Sequence, residues 1–380
     1  MSKSRKGRGN RRYPAIGLAL IILVAAVGYG AWQYGYLDDV VPRDRVRALW
    51  PRAPVGRAEP DDALSGEPLD APLAGIQVFF APCSPLSPLG IDDRLVGVIA
   101  GAQRSVYCAF YELQLDRVAD ALIERHHAGV DVGIVSDSHY DTREAVRACI
   151  DAGIRVVFDK RESFMHNKCC VVDGVRVWTG STNVTENGMF RNDNNAVLIE
   201  SPDLAENFTL EFREMFDDRS FGGRSPRNTA HPTIRVGHST VECYFAPEDG
   251  VEREILAEIA AAKISIDFLA FSFTSKPIAE AMAARARQGV AVRGVFEQRN
   301  AGSKHSQDDY LAEHGADIRM DRNPYNMHNK VIILDELTVI TGSYNFSASA
   351  EQKNDENVVI LHVPEVARRY GRTFEALFNP

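Results

Sequence analysis

Apolar positions fall into two rhythms along most of the chain. Short runs at 105–111, 130–135, 264–271 and 290–296 are continuously apolar or alternate with polar residues, the pattern of buried strands. Between the members of each pair lies an amphipathic stretch of helical period. It closes at Gly129 in one case and Gly289 in the other, the position where helices stop. Ser275 offers the second of these helices an N-cap, and Pro277 sits in its first turn. Strand, helix, strand at this spacing predicts a parallel crossover and therefore an α/β sheet. Further stretches near 203–216 and 365–378 predict a closing helix for each unit.

The units are copies. Phe79-Phe80-Ala81-Pro82 parallels Tyr244-Phe245-Ala246-Pro247, and Gly129 to Val135 parallels Gly289 to Val295. From Met165 onward the offset settles at 162 residues (328 − 166), pairing His166 with His328, Lys168 with Lys330, Asp173 with Asp335 and Phe212 with Phe374. That period is far too long for a solenoid. It divides the body into a first half, 75–218, and a second, 233–380. The joining segment 219–232 is rich in Gly, Ser, Arg and Pro and reads as a surface connection.

The N-terminus follows other rules. Ala15 to Trp32 carries no charge over 18 residues, enough to cross a bilayer as a helix, with Tyr13, Trp32, Tyr34 and Tyr36 at interface positions. Lys3, Arg5, Lys6, Arg8, Arg11 and Arg12 precede it, and Asp38-Asp39 follow. The expectation is a cytoplasmic tail at 1–12, a transmembrane anchor at 13–36 and a catalytic body on the extracytoplasmic side. Secretion after signal cleavage is the other reading, with Gly28 and Gly30 as small residues but no A-x-A site. Pro42, Pro51, Pro54, Pro60, Pro68 and Pro72 make 37–74 a semi-rigid linker.

Composition adds a constraint on partners. Apolar residues are 45% and charged residues 25% of the 380, ordinary globular values. The net charge is −9, but without the six basic residues of the tail 37 basic residues face 52 acidic ones, leaving −15. Such a body repels polyanions at long range, although a local basic pocket remains compatible with nucleic acid. Six cysteines are too few for a disulfide scaffold, and no disulfide is predicted.

The chemistry resides in a shared motif, His-x-Lys-x4-Asp-x6-Gly-Ser-x-Asn. It reads His166, Lys168, Asp173, Gly180, Ser181, Asn183 in the first half and His328, Lys330, Asp335, Gly342, Ser343, Asn345 in the second. Lys168 to Val172 reads as a strand, Asp173-Gly174 as a turn and Val175 to Thr179 as the return strand, so His166 and Lys168 share a face. Asp173 and Asp335 then belong to turns and are not general bases. A neutral imidazole attacks phosphorus or passes a proton, and a lysine ammonium suits a phosphate oxygen. Ser181, Ser343, Asn183 and Asn345 add neutral phosphate-binding donors. One copy supplies a nucleophile or an acid; two copies facing across a pseudo-twofold supply both.

This doubled motif resembles that of the phospholipase D superfamily, over about residues 76–380. The stretch from Asn323 through Ser347 is especially similar to its small bacterial nuclease and mitochondrial cardiolipin hydrolase branch. The resemblance implies two tandem α-β-α halves making one site. It implies attack by one histidine to form a phosphohistidine, protonation of the leaving alcohol by the other, lysines and asparagines on the phosphate oxygens, and no metal or cofactor. By residue order the resemblance makes His166 the nucleophile. It also places a histidine-orienting carboxylate after the motif: Glu356 fits in the second half, whereas the matching first-half residue is Asn194, beside Asp193. On that basis His328 is expected to be the more basic imidazole. In the sequence no His/Cys/Asp/Glu cluster has metal-ligand spacing.

Bland assignments cover the rest. Cys169 and Cys170 are read as buried thiols on opposite strand faces. His126-His127 reads as a solvated helix end and Met189-Phe190 as loop packing. The Asn-x-Ser/Thr matches at Asn183, Asn207 and Asn345 are taken as chance. The leading function is a membrane-associated phosphodiesterase acting on phospholipid. A nuclease on the same machinery is the alternative, and an idle scaffold is the third possibility, at odds with two intact motifs.

Overall fold

In the computed structural model, which describes residues 73, 75–83 and 90–380, the first half begins with strand β1 (Ile76–Ala81) and helix α1 (Ile91–Ala100). It continues through β2 (Ser105–Phe110), α2 (Asp116–His127), β3 (Asp131–Ser136), α3 (Glu144–Asp151), β4 (Arg155–Phe158), the hairpin β5 (Lys168–Val172) and β6 (Arg176–Gly180), α4 (Glu186–Phe190), β7 (Asn194–Glu200) and α5 (Pro202–Phe216). The second half opens with an added hairpin strand, β8 (Thr233–Val236), and then repeats the order. Its elements are β9 (Ser239–Ala246), α6 (Val251–Ala261), β10 (Ser265–Ala270), α7 (Lys276–Arg287), β11 (Ala291–Phe296), α8 (Asp308–Glu313), β12 (Asp317–Met320), β13 (Lys330–Leu334), β14 (Thr338–Gly342), α9 (Ala348–Gln352), β15 (Glu356–His362) and α10 (Pro364–Phe378).

Local chemistry sets these boundaries. Helix α2 stops where Gly129 turns to φ 86° and α7 where Gly289 turns to φ 90°, left-handed positions that suit glycine. Ser275 Oγ accepts from Ile278 N at 3.3 Å, with Pro277 in the first turn, as the spacing predicts. Ser201 caps α5 in the same way ahead of Pro202.

Each half is one mixed sheet, ordered β1-β7-β6-β5-β2-β3-β4 and β12-β11-β10-β13-β14-β15-β9-β8. The crossovers β2–β3–β4 and β10–β11–β12 are parallel, and the motif hairpins join β2 and β10 antiparallel. Each sheet carries α1–α3 or α6–α8 over its own apolar cluster on one face. On the other face both sheets share one cluster with the closing helices, including Phe208 and Phe212 of α5 and Tyr370 and Phe374 of α10. The described residues accordingly fall in one compact unit. Cys169 joins that shared core, whereas Cys170 faces the outer cluster beside Cys108, with sulfurs 2.9 Å apart. The expected tail, anchor and nearly all of the linker lie outside the described residues. Among those described, no helix is long and apolar enough to cross a membrane.

The hairpins hold the motif in place. Asp173 and Gly174, and Asp335 and Glu336, take left-handed φ of 54–68° to turn the chain. The Asp173 carboxylate accepts from the backbone N–H groups of Gln103, Arg104 and Ser105, and Asp335 from those of Lys263, Ile264 and Ser265. Partial burial raises both carboxyl pKa values, but these donors outweigh it and hold them below the usual range. The motif aspartates are thus rivets between a hairpin and the neighbouring strand, far from acid–base work.

Candidate active site

The ends of β5 and β13 bring both motif copies to the seam between the halves. The seam is stitched reciprocally: His166 N donates to Asp355 O at 2.9 Å, and His328 N to Asp193 O at 2.8 Å. Amides complete the stitching, Asn357 Nδ2 to Asn167 Oδ1 and Asn195 Nδ2 to Asn329 Oδ1, both 2.7 Å. Each half therefore presents its histidine strand to the strand start of the other (β7 or β15).

This geometry corrects the expectation about basicity. Glu356, from the second half, accepts from Nδ1 of His166 in the first at 2.8 Å. Nδ1 of His328 instead faces Asn194 Oδ1 at 3.0 Å and Ser181 O at 3.1 Å. The amide of Asn194 is fixed this way round because its Nδ2 donates to Gly188 O at 2.9 Å. Both Nδ1 atoms meet acceptors only, so each carries the proton, and in each neutral imidazole Nε2 holds the lone pair. The carboxylate therefore makes His166 the more readily charged of the two, the reverse of what repeat position suggests.

The serines also differ from expectation. Ser181 Oγ donates to Asn194 Oδ1 at 2.8 Å and Ser343 Oγ to Glu356 Oε2 at 2.6 Å. Each also accepts from a backbone N–H, of Asn195 or Asn357. A hydroxyl has one proton, so neither keeps one for a phosphate. They hold the groups that hold the histidines. The glycines before them are required: a Cβ on Gly180 would lie 2.5 Å from Asn195 O, and on Gly342 2.1 Å from Asn357 O.

Lys168 Nζ donates to His166 O at 2.6 Å and lies over the Tyr111 ring; Lys330 Nζ donates to His328 O at 2.7 Å and lies over Phe271. Asn183 and Asn345 keep buried Oδ1 atoms with no hydrogen-bond partner. Burial lowers the pKa of His166 to about 4, opposed by Glu356 and aided by Lys168 and Lys330. Burial, both lysines and His166 drive His328 well below its usual value. Lys168 falls to about 7 through burial, with Glu356 opposing, and Lys330 is pushed well down by burial and by Lys168. Glu356 feels burial upward, but His166 and Lys168 hold it ionised. The groups from both halves thus act on one another electrostatically. Burial disfavours positive charge on all four bases, and repulsion adds to it at His166, His328 and Lys330, so the imidazoles rest neutral, and a bound anion would stabilise their charged forms.

Two groups with ligand-like proximity, invisible in sequence spacing, come together elsewhere among the described residues: Glu242, Glu258 and His362, and Glu211, Glu214 and Glu248. Either set of side chains can hold a cation; neither includes the motif histidines.

The sequence profile described as "Cardiolipin synthase, PLD-like domain" matches residues 95–216 and again 255–378. A protein named phospholipase D from Rickettsia felis (strain ATCC VR-1525 / URRWXCal2) is 32% identical over 159 residues, 42% of this chain and 80% of that protein. The human mitochondrial cardiolipin hydrolase is 35% identical over 129 residues, 33% of this chain and 51% of its own length. Among solved structures, phosphatidylserine synthase from Haemophilus influenzae Rd KW20 shares the fold. Its TM-score is 0.60 at 14% identity, covering 78% of this chain and 84% of that one.

Proposed function

The chain belongs to the phospholipase D superfamily and is a phosphodiesterase of that family; on that premise we propose that it hydrolyses a phospholipid through a phosphohistidine on His166. The carrying observation is the unequal pair of histidine partners, Glu356 on His166 and Asn194 on His328. Attack by His166 Nε2 on phosphorus leaves a phosphorylated ring that is formally cationic, and the Glu356 carboxylate stabilises that charge. His328, with only neutral oxygens behind it, holds a proton weakly and surrenders it readily to the leaving oxygen.

The productive substrate complex carries one proton on the pair, on His328 Nε2, with the lone pair free on His166 Nε2, and the phosphate charge favours that imidazolium. The bond from phosphorus to the leaving oxygen breaks as the His328 proton moves to that oxygen. His328 then takes a proton from water, the hydroxide adds to phosphorus, and the bond to His166 Nε2 breaks. Lys168, Lys330, Asn183 and Asn345 hold the non-bridging oxygens. The lipid assignment is supported by the names of the relatives, by the −15 body and by the apolar run that predicts an anchor.

Alkaline quenching during turnover of phosphatidylcholine, followed by peptide mapping, is expected to find phosphatidyl adduct on His166, accumulating in His328→Ala and absent in His166→Ala. An adduct on His328 reverses the roles. Cleavage of single-stranded DNA with lipid untouched replaces phospholipid by nucleic acid as substrate.

A further inference from the structure

The halves supply the same framework to the site, so the side chains in which they differ carry information that the shared ones do not. Around His166 the first half gathers rings. Tyr111 stands 4.8 Å from the imidazole, Tyr140 packs on Tyr111 at 5.0 Å, and Phe164, 37% exposed, packs on Tyr111 at 5.6 Å. His139 lies against Phe164 at 5.6 Å. Around His328 the second half keeps one ring of this set, Phe271 at 4.6 Å.

The replacements are defined by equivalent backbone bonds. Phe164 O accepts from Asp355 N, and Asn326 O from Asp193 N, so Asn326 stands where Phe164 does. Tyr140 N donates to Asp137 O, and Asn300 N to Glu297 O, so Asn300 stands for Tyr140. In place of His139 stands Arg299, whose guanidinium binds Pro324 O, Tyr325 O and Asn326 Oδ1. At these three positions the first half presents rings where the second presents amide and guanidinium groups, although Tyr325 adds a ring beside Asn326 and Arg143 a guanidinium over Tyr140.

We infer that the cleft is sided: the first-half wall receives the acyl-glycerol part of the substrate, and the second-half wall receives the polar head group that leaves. The inference rests on the phospholipid reading above. Half-exposed rings gain by being covered with hydrocarbon, while a head group meets a polar surface on the opposite wall. The chemistry agrees. In-line attack from His166 puts the leaving oxygen on the far side, toward His328 and its polar wall, while the retained group stays beside His166. The rings also suit acyl chains. Tyr140 and Phe164 meet Tyr111 at 81° and 70°, and His139 meets Phe164 at 71°, an interlocked surface that offers ring edges as well as faces.

The test gives the first half the residues of the second, in the full-length chain: Phe164→Asn with Tyr140→Asn. It compares dioleoyl phosphatidylcholine in mixed micelles with methyl p-nitrophenyl phosphate, whose retained group is only a methyl. The lipid KM is expected to rise about tenfold or more, the loss typical of removing apolar contact from a pocket, while kcat on the small diester stays within about twofold. Phe164→Leu, which keeps the apolar surface, is expected to retain the lipid KM. Equal losses on both substrates, or an unchanged lipid KM, overturn the sidedness. So does a loss confined to a single-stranded oligonucleotide, which would make the rings a base platform. Wild-type protein that turns over the small diester and no phospholipid overturns the underlying reading instead, and the two failures are thereby told apart.

Discussion

At the scale of single residues, the site turns on what stands behind each imidazole. Glu356 touches no reacting atom; it positions His166 and sets its charge through one 2.8 Å bond. Glu356→Gln keeps the shape and removes the charge. The cost is expected to be roughly 10²-fold in kcat, within the usual span for acid–base and electrostatic support of a histidine. The sign of the pH effect follows from linkage. Burial already lowers His166 to about 4, and Glu356 opposes that; without the carboxylate the value falls further. The acid limb of kcat/KM, which reports the free nucleophile, should therefore move to lower pH, whereas a merely structural loss would leave the limb in place. A pH–rate profile of the variant decides.

At the scale of elements, the hairpins that carry the motif are pinned by Asp173 and Asp335. Asp335→Ala strips three backbone N–H groups of their acceptor. It is expected to cost about 2 kcal/mol and lower the melting temperature by a few degrees, with KM little changed. Thermal denaturation alongside steady-state kinetics checks both. The turn position of these aspartates was legible in the sequence, as were the crossovers, the glycine stops and the Ser275 cap, because each depends on residues close in the chain or on strand alternation. The backbone groups that Asp173 and Asp335 rivet, 70 and 72 positions away at Gln103 and Lys263, were not. The partner of His166 was not legible. It lies 190 positions away, and repeat register assigns Glu356 to the histidine of its own half. The true assignment depends on how two sheets meet, which no local period encodes. The tasks of Ser181 and Ser343 were hidden for the same reason, since they serve residues whose direction the seam fixes.

At the scale of the whole molecule, the buried carboxyl groups of Glu211, Glu214 and Glu248 join α5 of the first half to the β9–α6 connection of the second. Burial raises all three, Glu214 to about 7 and Glu248 to about 8; repulsion adds to it from Glu248 and Glu214 on Glu211, from Glu214 on Glu248, and from Asp218 on Glu214. A carboxyl raised above its unfolded value contributes stability that is complete below the unfolded pKa and is lost as pH rises through the folded one. The melting temperature should therefore decline between about pH 5 and pH 9. Glu248→Gln should flatten that decline, and an identical slope in the variant would remove the cluster as its cause. The crossed partnership at the seam has a consequence of another kind. Residues 194 and 356 occupy the same place in the repeat. Two identical half-chains docked in this way would carry a carboxylate behind both histidines or an amide behind both, and their imidazoles would be chemical twins. Joining the halves in one polypeptide is what permits asparagine at one place and glutamate at the other. The covalent link thus breaks a symmetry, and under the proposed mechanism that asymmetry gives the reaction a direction across the seam.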